Sequence, residues 1–250
     1  MNTNTLDKMR SLRLFGMYHA FKSSMDTPRN EPLTADEMTA LLIDSEWDDR
    51  HNRSIERTLR NARFRYKATI EQVDYAAQRG IDKNHLQRLA DGTFITRSEN
   101  LLITGSTGTG KSFIASAIGH QACQMGFKVL YANTIKLLAQ IKMAKADGSA
   151  IKEMNRIERY DLLILDDFGI QPFDHQSRAS LLEIIEDRHG KHATIITSQL
   201  PVKQWYEIIG EKTVADAILD RIVHSAHRIE LKGESLRKKW NKKITEDELQ

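Results

Sequence analysis

The sequence predicts an α/β protein, a parallel sheet flanked by helices, preceded by a small all-helical N-terminal domain. Two observations carry this. From Asn100 onward, short apolar runs rich in Leu, Ile and Val recur at LLIT (101–104), FKVLYA (127–132), DLLILD (161–166), ATIITS (193–198) and AHRIEL (226–231). Helix-length segments separate them, and that alternation marks βαβ units with a sheet covered on both faces. The first hundred residues lack such runs and show helical spacing instead. The expected boundary lies near residue 97, giving a helical domain and linker at 1–97 and the sheet domain at 98–250.

In the first part, apolar spacing at Leu6, Met9, Leu12 and Phe15 predicts one amphipathic helix over 6–24, ended by Pro28 and Pro32. A second helix is expected from Thr34, whose hydroxyl can cap it while Glu37 reaches back, and it can run on through the basic stretch. Gly80 and Asp91-Gly92 mark turns around a short helix at about 82–90.

Composition excludes several classes. With 40% apolar and 28% charged residues in 250, the chain is long enough for one α/β core plus a small domain and is neither fibrous nor disordered. No window approaches about 18 uninterrupted apolar residues, so no membrane partner is expected. The N-terminus lacks an apolar h-region, and a cytoplasmic protein is expected. The one cysteine, Cys123, sits in an apolar helical context and reads as a buried, inert thiol. The nine histidines form no metal-binding spacing, and no serine-hydrolase elbow is present.

Gly105-Ser106-Thr107-Gly108-Thr109-Gly110-Lys111-Ser112 matches G-x-x-x-x-G-K-[ST] in full, between an apolar strand and an apolar helix. The glycines let the backbone approach phosphates, and successive N–H groups with the following helix N-terminus point at phosphate oxygens. Lys111 supplies a charge to the β- and γ-phosphates, and Ser112 ligates Mg²⁺. The expected cofactors are therefore ATP and Mg²⁺. DLLILD followed by Asp167 is an apolar strand ending in two carboxylates. Asp166 is expected to hold Mg²⁺, and Asp167 to orient or deprotonate the attacking water, giving ATP hydrolysis to ADP and phosphate. Asp in place of the commoner Glu at 167 shortens the reach by one methylene, so slow or partner-dependent hydrolysis is expected. Thr197, Ser198 and Gln199 close the fourth strand, where one could sense the γ-phosphate; a capped turn before Pro201 accounts for them equally well. Arg221 ends an apolar helical segment and reads either as an arginine finger for a neighbouring subunit or as a surface partner of Asp220.

Arg50, Arg53, Arg57 and Arg60 project at about 0°, 300°, 340° and 280° on a helix, within roughly an 80° stripe, with Arg63 beyond its edge and Arg65 and Lys67 following. The acids Asp44, Glu46, Asp48 and Asp49 cluster upstream, which leaves the stripe without evident pairing partners. A nucleic-acid phosphate backbone suits it, the alternative being a solvated charged face, and no aromatic row for base stacking accompanies it. A second basic patch, Leu236-Arg-Lys-Lys-Trp240, reads as either a nucleic-acid contact or a solvated tail.

Taken together, these residues resemble the IstB-like ATP-binding proteins, helper ATPases of bacterial insertion sequences within the AAA+ group that also contains the helicase loader DnaC. The resemblance rests on Glu99-Asn-Leu-Leu, the P-loop, LLILDDFG (162–169), Thr197-Ser-Gln-Leu-Pro201, Asp220-Arg-Ile-Val-His224 and Gly233-Glu-Ser-Leu-Arg237, and reaches upstream to the Arg-rich helix. It implies an AAA+ core with a vestigial lid. ATP would drive multimer assembly on double-stranded DNA, where the protein selects the target and stimulates a partner transposase. Arg221 matches the arginine-finger position, Ser198 or its neighbour the first sensor, and Arg237 a relic of the second. The alternatives are a DnaC-like helicase loader acting on single strands and a P-loop metabolite kinase.

Overall fold

The computed structural model describes residues 2–26, 33–75 and 80–236. Pro28, Pro32, Arg237 and most of the second basic patch lie outside them. The chain divides into two compact units, Met1–Arg57 and Thr58–Gln250.

In the first unit the single helix expected over 6–24 is two, α1 (Asn2–Ser11) and α2 (Phe15–Asp26). Arg13 breaks it with φ 59°, and the Leu14 N–H reaches back to the Met9 carbonyl at 2.9 Å, closing α1 in a left-handed cap. The break exposes the first turn of α2, and Glu46 fills it: its Oε2 accepts from the Gly16 N–H at 2.9 Å and the Met17 N–H at 3.3 Å. Glu46 belongs to α3 (Ala35–Ala62), the long helix expected from Thr34. The capping box is formed, with the Thr34 N–H donating to Glu37 Oε2 at 2.8 Å and the Glu37 N–H to Thr34 Oγ1 at 3.3 Å. Gly16 makes the α2–α3 approach possible, since a Cβ there would lie 2.1 Å from the Ser45 carbonyl oxygen.

The second unit holds α4 (Lys83–Ala90), α5 (Thr93–Thr96), β1 (Leu101–Gly105), α6 (Lys111–Gln124), β2 (Val129–Asn133), α7 (Thr134–Ala146), α8 (Ala150–Glu158), β3 (Leu162–Phe168), α9 (His175–Arg188), β4 (Ala193–Ser198), α10 (Trp205–Ile209), α11 (Lys212–Val223) and β5 (His227–Leu231). The five strands, all expected from the sequence, form one parallel sheet in the order β2-β3-β4-β1-β5. Successive strand residues feed opposite faces. Leu101, Ile103, Leu162 and Ile164 join Ile114 and Ile118 of α6 in one core, while Leu102, Leu163 and Leu165 join α7, α9 and α11 in the other.

This two-sided demand explains why the compact division falls at Arg57/Thr58 rather than near 97. One face is covered by several helices from within the sheet's own crossovers, the other by α6 alone. Ala62, Ala68, Val73, Leu86, Leu89 and Phe94 complete that cover, so residues 58–75 and 80–97 fold with the sheet. At the start of β3 and β4, Arg188 is 2% exposed and donates to the carbonyls of Tyr160 at 2.8 Å and Ala193 at 2.6 Å. Burial pushes its pKa down to about 10. No helix among the described residues is long and apolar enough to cross a membrane.

Candidate functional site

Parallel strands put all their C-terminal ends at one edge of the sheet, where the loops after β1, β3 and β4 meet. The loop after β1 is the glycine-rich segment. Gly105 (φ 147°) and Gly108 (φ 83°) hold backbone that a side chain would obstruct: a Cβ at Gly105 would stand 2.4 Å from the Leu231 carbonyl oxygen, and at Gly108 2.1 Å from Ser235 Oγ. Gly110, also left-handed, opens α6, whose first N–H groups have no intrahelical acceptor and face the loop's concave side. Within the loop, Thr109 Oγ1 donates to the Ser106 carbonyl at 2.8 Å, and Lys111 Nζ to the carbonyls of Gly105 and Ser106 at 2.8 and 2.9 Å. The loop is thus a cradle lined by donors with one ammonium above it, the arrangement that polyphosphate requires.

Beside it, β3 carries a bulge. Leu165 pairs with Ile196 and Phe168 with Ser198, so Asp166 and Asp167 together oppose Thr197. Asp167 takes up the extra residue with φ 60°. Neighbouring strand residues ordinarily point to opposite faces; here the bulge turns both carboxylates toward the same place. Asp166 is fully buried and accepts from Ser112 Oγ at 2.7 Å, Thr197 Oγ1 at 2.5 Å, Tyr131 Oη and Arg65 Nη1 at 3.2 Å. Asp167 accepts from the same Arg65 nitrogen at 3.1 Å and from Asn133 Nδ2 at 3.2 Å, and its N–H donates to Thr197 Oγ1 at 3.2 Å. Burial, then the Asp166 charge, pushes the Tyr131 hydroxyl far above its usual range, so it stays a donor. A hydroxyl and a carboxylate in contact beside a phosphate cradle are a hard-oxygen set that fits Mg²⁺, an ion that takes few protein ligands and completes its shell with phosphate and water. No cluster of three or more His, Cys, Asp or Glu able to hold a metal exists among the described residues.

The strand-end polar trio divides. Thr197 faces Asp166, whereas Ser198 turns away, donating to the Phe168 carbonyl at 2.8 Å and accepting from the Leu200 N–H at 3.1 Å. Gln199 crosses to the loop, where its Oε1 accepts from Thr107 Oγ1 at 2.7 Å. Of the three, Ser198 alone has the capped-turn role, while Thr197 lies against Asp166 and Gln199 against the glycine-rich loop.

A model of the IstB-like ATP-binding proteins matches residues 7–244. The chain belongs to the IstB-like ATP-binding family. A Sinorhizobium fredii chain named as an insertion-sequence ATP-binding protein is 45% identical over 239 residues, covering 96% of this chain and 98% of that one. A Pseudomonas aeruginosa protein of similar name is 32% identical, covering 90% and 85%. Among solved structures, the DnaC helicase loader superposes with a TM-score of 0.57 at 18% identity, over 67% of this chain and 98% of that one. AMPPCP-bound DnaA from Aquifex aeolicus gives 0.56 at 18%, over 74% and 56%. The fold is that of the AAA+ proteins.

In this IstB-like chain Arg221 is remote from its own cradle. Its carbonyl accepts from Asn100 Nδ2, at the residue preceding β1, at 3.2 Å, and its guanidinium donates to Glu186 Oε1 at 2.9 Å rather than pairing with Asp220. That is the opposite edge of the sheet from Gly105, and the length of β1 alone separates them by roughly 17 Å.

The basic residues also divide. Arg50 and Arg53 do have partners: Arg50 Nε lies 2.6 Å from Glu46 and Arg53 Nη2 2.5 Å from Asp49, each one helical turn upstream. The acids that looked segregated in sequence are in reach because i and i+4 share a helix face. Arg57 and Arg60 are exposed, and neither forms an ion pair among the described residues. Arg63 (φ 58°) and exposed Lys67 follow the end of α3. Arg65 is not part of the stripe; it sits on the two carboxylates. Tyr131, Asn133 and Arg65 are the site residues that sequence reasoning missed or placed elsewhere. A polar residue closing an apolar strand was a signal for Asn133; nothing local marked the other two.

Proposed function

We propose that the chain is a DNA-dependent AAA+ ATPase whose ATP form assembles on double-stranded DNA, selects the target there and stimulates a partner transposase. The observation that carries this is the placement of Lys111, Ser112, Asp166, Asp167 and Thr197 at one sheet edge and Arg221 at the other. A guanidinium roughly a strand's length from its own cradle can complete only the site of a neighbouring copy.

Lys111 and the N–H groups of the loop bind the phosphates. Ser112 and Asp166 would hold Mg²⁺, which supplies charge neutralisation at the β- and γ-phosphates. Asp167 orients a water oxygen toward the γ-phosphorus and takes its proton as the bond to ADP breaks. Thr197 holds the Asp166 carboxylate and the Asp167 backbone N–H through its single hydroxyl, and Gln199 is held ready beside Thr107. Arg221 of the next copy stabilises the transferred charge, a contribution of about 10³-fold or more in related enzymes. Arg57 and Arg60, exposed and without ion pairs among the described residues, supply phosphate contacts on α3 that position without reading sequence. Insertion-sequence relatives spanning nearly the whole chain support the transposition role over helicase loading.

Sedimentation velocity with a non-hydrolysable ATP analogue tests the reading. A multimer that needs both nucleotide and duplex DNA is expected. A monomer at saturation of both refutes it, and assembly on single strands alone favours the loader.

A further inference from the structure

Arg65 contacts both acids of the nucleotide site, and its segment is built to hold it there. Phe64 packs edge-on against Tyr131, with ring centroids 6.2 Å apart, and closely against Gly119 of α6. Tyr66 packs on Phe113 of the same helix at 6.2 Å, and the Arg65 guanidinium lies 5.7 Å over the Tyr66 ring. The two aromatics anchor the backbone on either side, and the Arg between them reaches Asp166 Oδ2 and Asp167 Oδ2 with a single nitrogen.

Two carboxylates aimed at one point repel unless a cation stands between them. The β3 bulge forces that arrangement, and a cation seated between the two carboxylates relieves the repulsion. We propose that Arg65 is the resident counter-cation of the Asp166–Asp167 pair and that it competes directly with Mg²⁺ for it. Nucleotide-borne Mg²⁺ displaces the guanidinium, and loss of the metal restores it. Arg65 thereby sets how much Mg²⁺ the site needs before nucleotide binding tightens. It is a positioning residue for the acids, and the inference rests on the Mg²⁺–ATP reading of this site.

The test measures the affinity of a fluorescent ATP analogue as a function of Mg²⁺ for the wild type, Arg65→Gln and Arg65→Lys. With Arg65 side chain 43% exposed, neither change disturbs a packed core. In Arg65→Gln the Mg²⁺ midpoint is expected to fall about fivefold, the scale of a partly exposed ion pair. Affinity in EDTA stays unchanged, and Arg65→Lys remains close to wild type. In parallel, the melting-temperature gain from MgCl₂ alone is expected to be larger in Arg65→Gln. Equal midpoints in wild type and Arg65→Gln overturn the competition. A variant that binds the analogue more weakly in Mg²⁺ also overturns it, by making Arg65 a nucleotide ligand. Wild-type binding indifferent to Mg²⁺ would instead remove the metal reading on which the inference stands.

Discussion

Asp166→Asn isolates the charge around which the site is organised. Four donors converge on the buried carboxylate: Ser112, Thr197, Tyr131 and Arg65. A hydrogen bond to a charged group contributes about 2 kcal/mol and one to a neutral group about 1, so the neutral amide forfeits roughly 4 kcal/mol over the four. Relief from burying a charge offsets part of this, and Arg65 already neutralises that charge, which leaves a net loss of about 2 kcal/mol. For a chain of this size that corresponds to a fall in melting temperature of about 4–8 °C. The same substitution removes the carboxylate expected to hold Mg²⁺, so nucleotide affinity should lose its Mg²⁺ dependence. Thermal unfolding by circular dichroism and analogue titration with and without Mg²⁺ read both effects. An unchanged melting temperature together with intact Mg²⁺ dependence would refute the role given to this carboxylate.

Gly16→Ala places a Cβ 2.1 Å from the Ser45 carbonyl, and overpacking of this kind costs about 1–3 kcal/mol; proteolysis of the first unit should accelerate while nucleotide affinity stays constant. Arg57→Glu with Arg60→Glu should lower the slope of log affinity for duplex DNA against log salt by about 2, at about 0.9 per phosphate lost, with nucleotide binding intact; an unchanged slope removes α3 from the DNA interface. Burial, then the charges of His227 and Arg88, hold the His85 imidazole below its usual range, and its Nε2 has no hydrogen-bond partner among the described residues. With the folded pKa below the unfolded value of about 6.5, the unfolded chain takes up the proton first, so this stability is complete above that pH and is lost as pH falls from there through the folded value. Urea unfolding at stepped pH should therefore show stability falling on acidification, with a shallower fall in His85→Gln.

The five strands and the phosphate cradle were legible because each is specified locally, by continuous apolar runs in a two-faced sheet and by a motif whose flanks confirm it. The bulge at Asp166–Asp167 was not, because it is a mismatch of register between β3 and Thr197 on β4 and leaves no mark in LLILDD itself. Arg65 read as one more base in an Arg-rich run; its partners stand about a hundred residues away in sequence, and only the anchoring of Phe64 and Tyr66 on α6 brings it to them. The short helix at about 82–90 was legible, but which unit the apolar positions from Leu59 to Phe94 cover depends on how little of one sheet face α6 can bury. The helix break at Arg13 shares this character, since it serves Glu46 from another helix.

The central claim is that one ATP site is shared between two copies of the chain. Mixing Asp167→Asn protein with Arg221→Ala protein on duplex DNA tests it most directly. Each variant keeps its nucleotide cradle and is expected to be inactive by itself in DNA-stimulated phosphate release. In the mixture, Asp167 of one chain meets Arg221 of the other, and the account predicts that activity returns. A mixture no more active than its components, or full activity in Arg221→Ala alone, would contradict it.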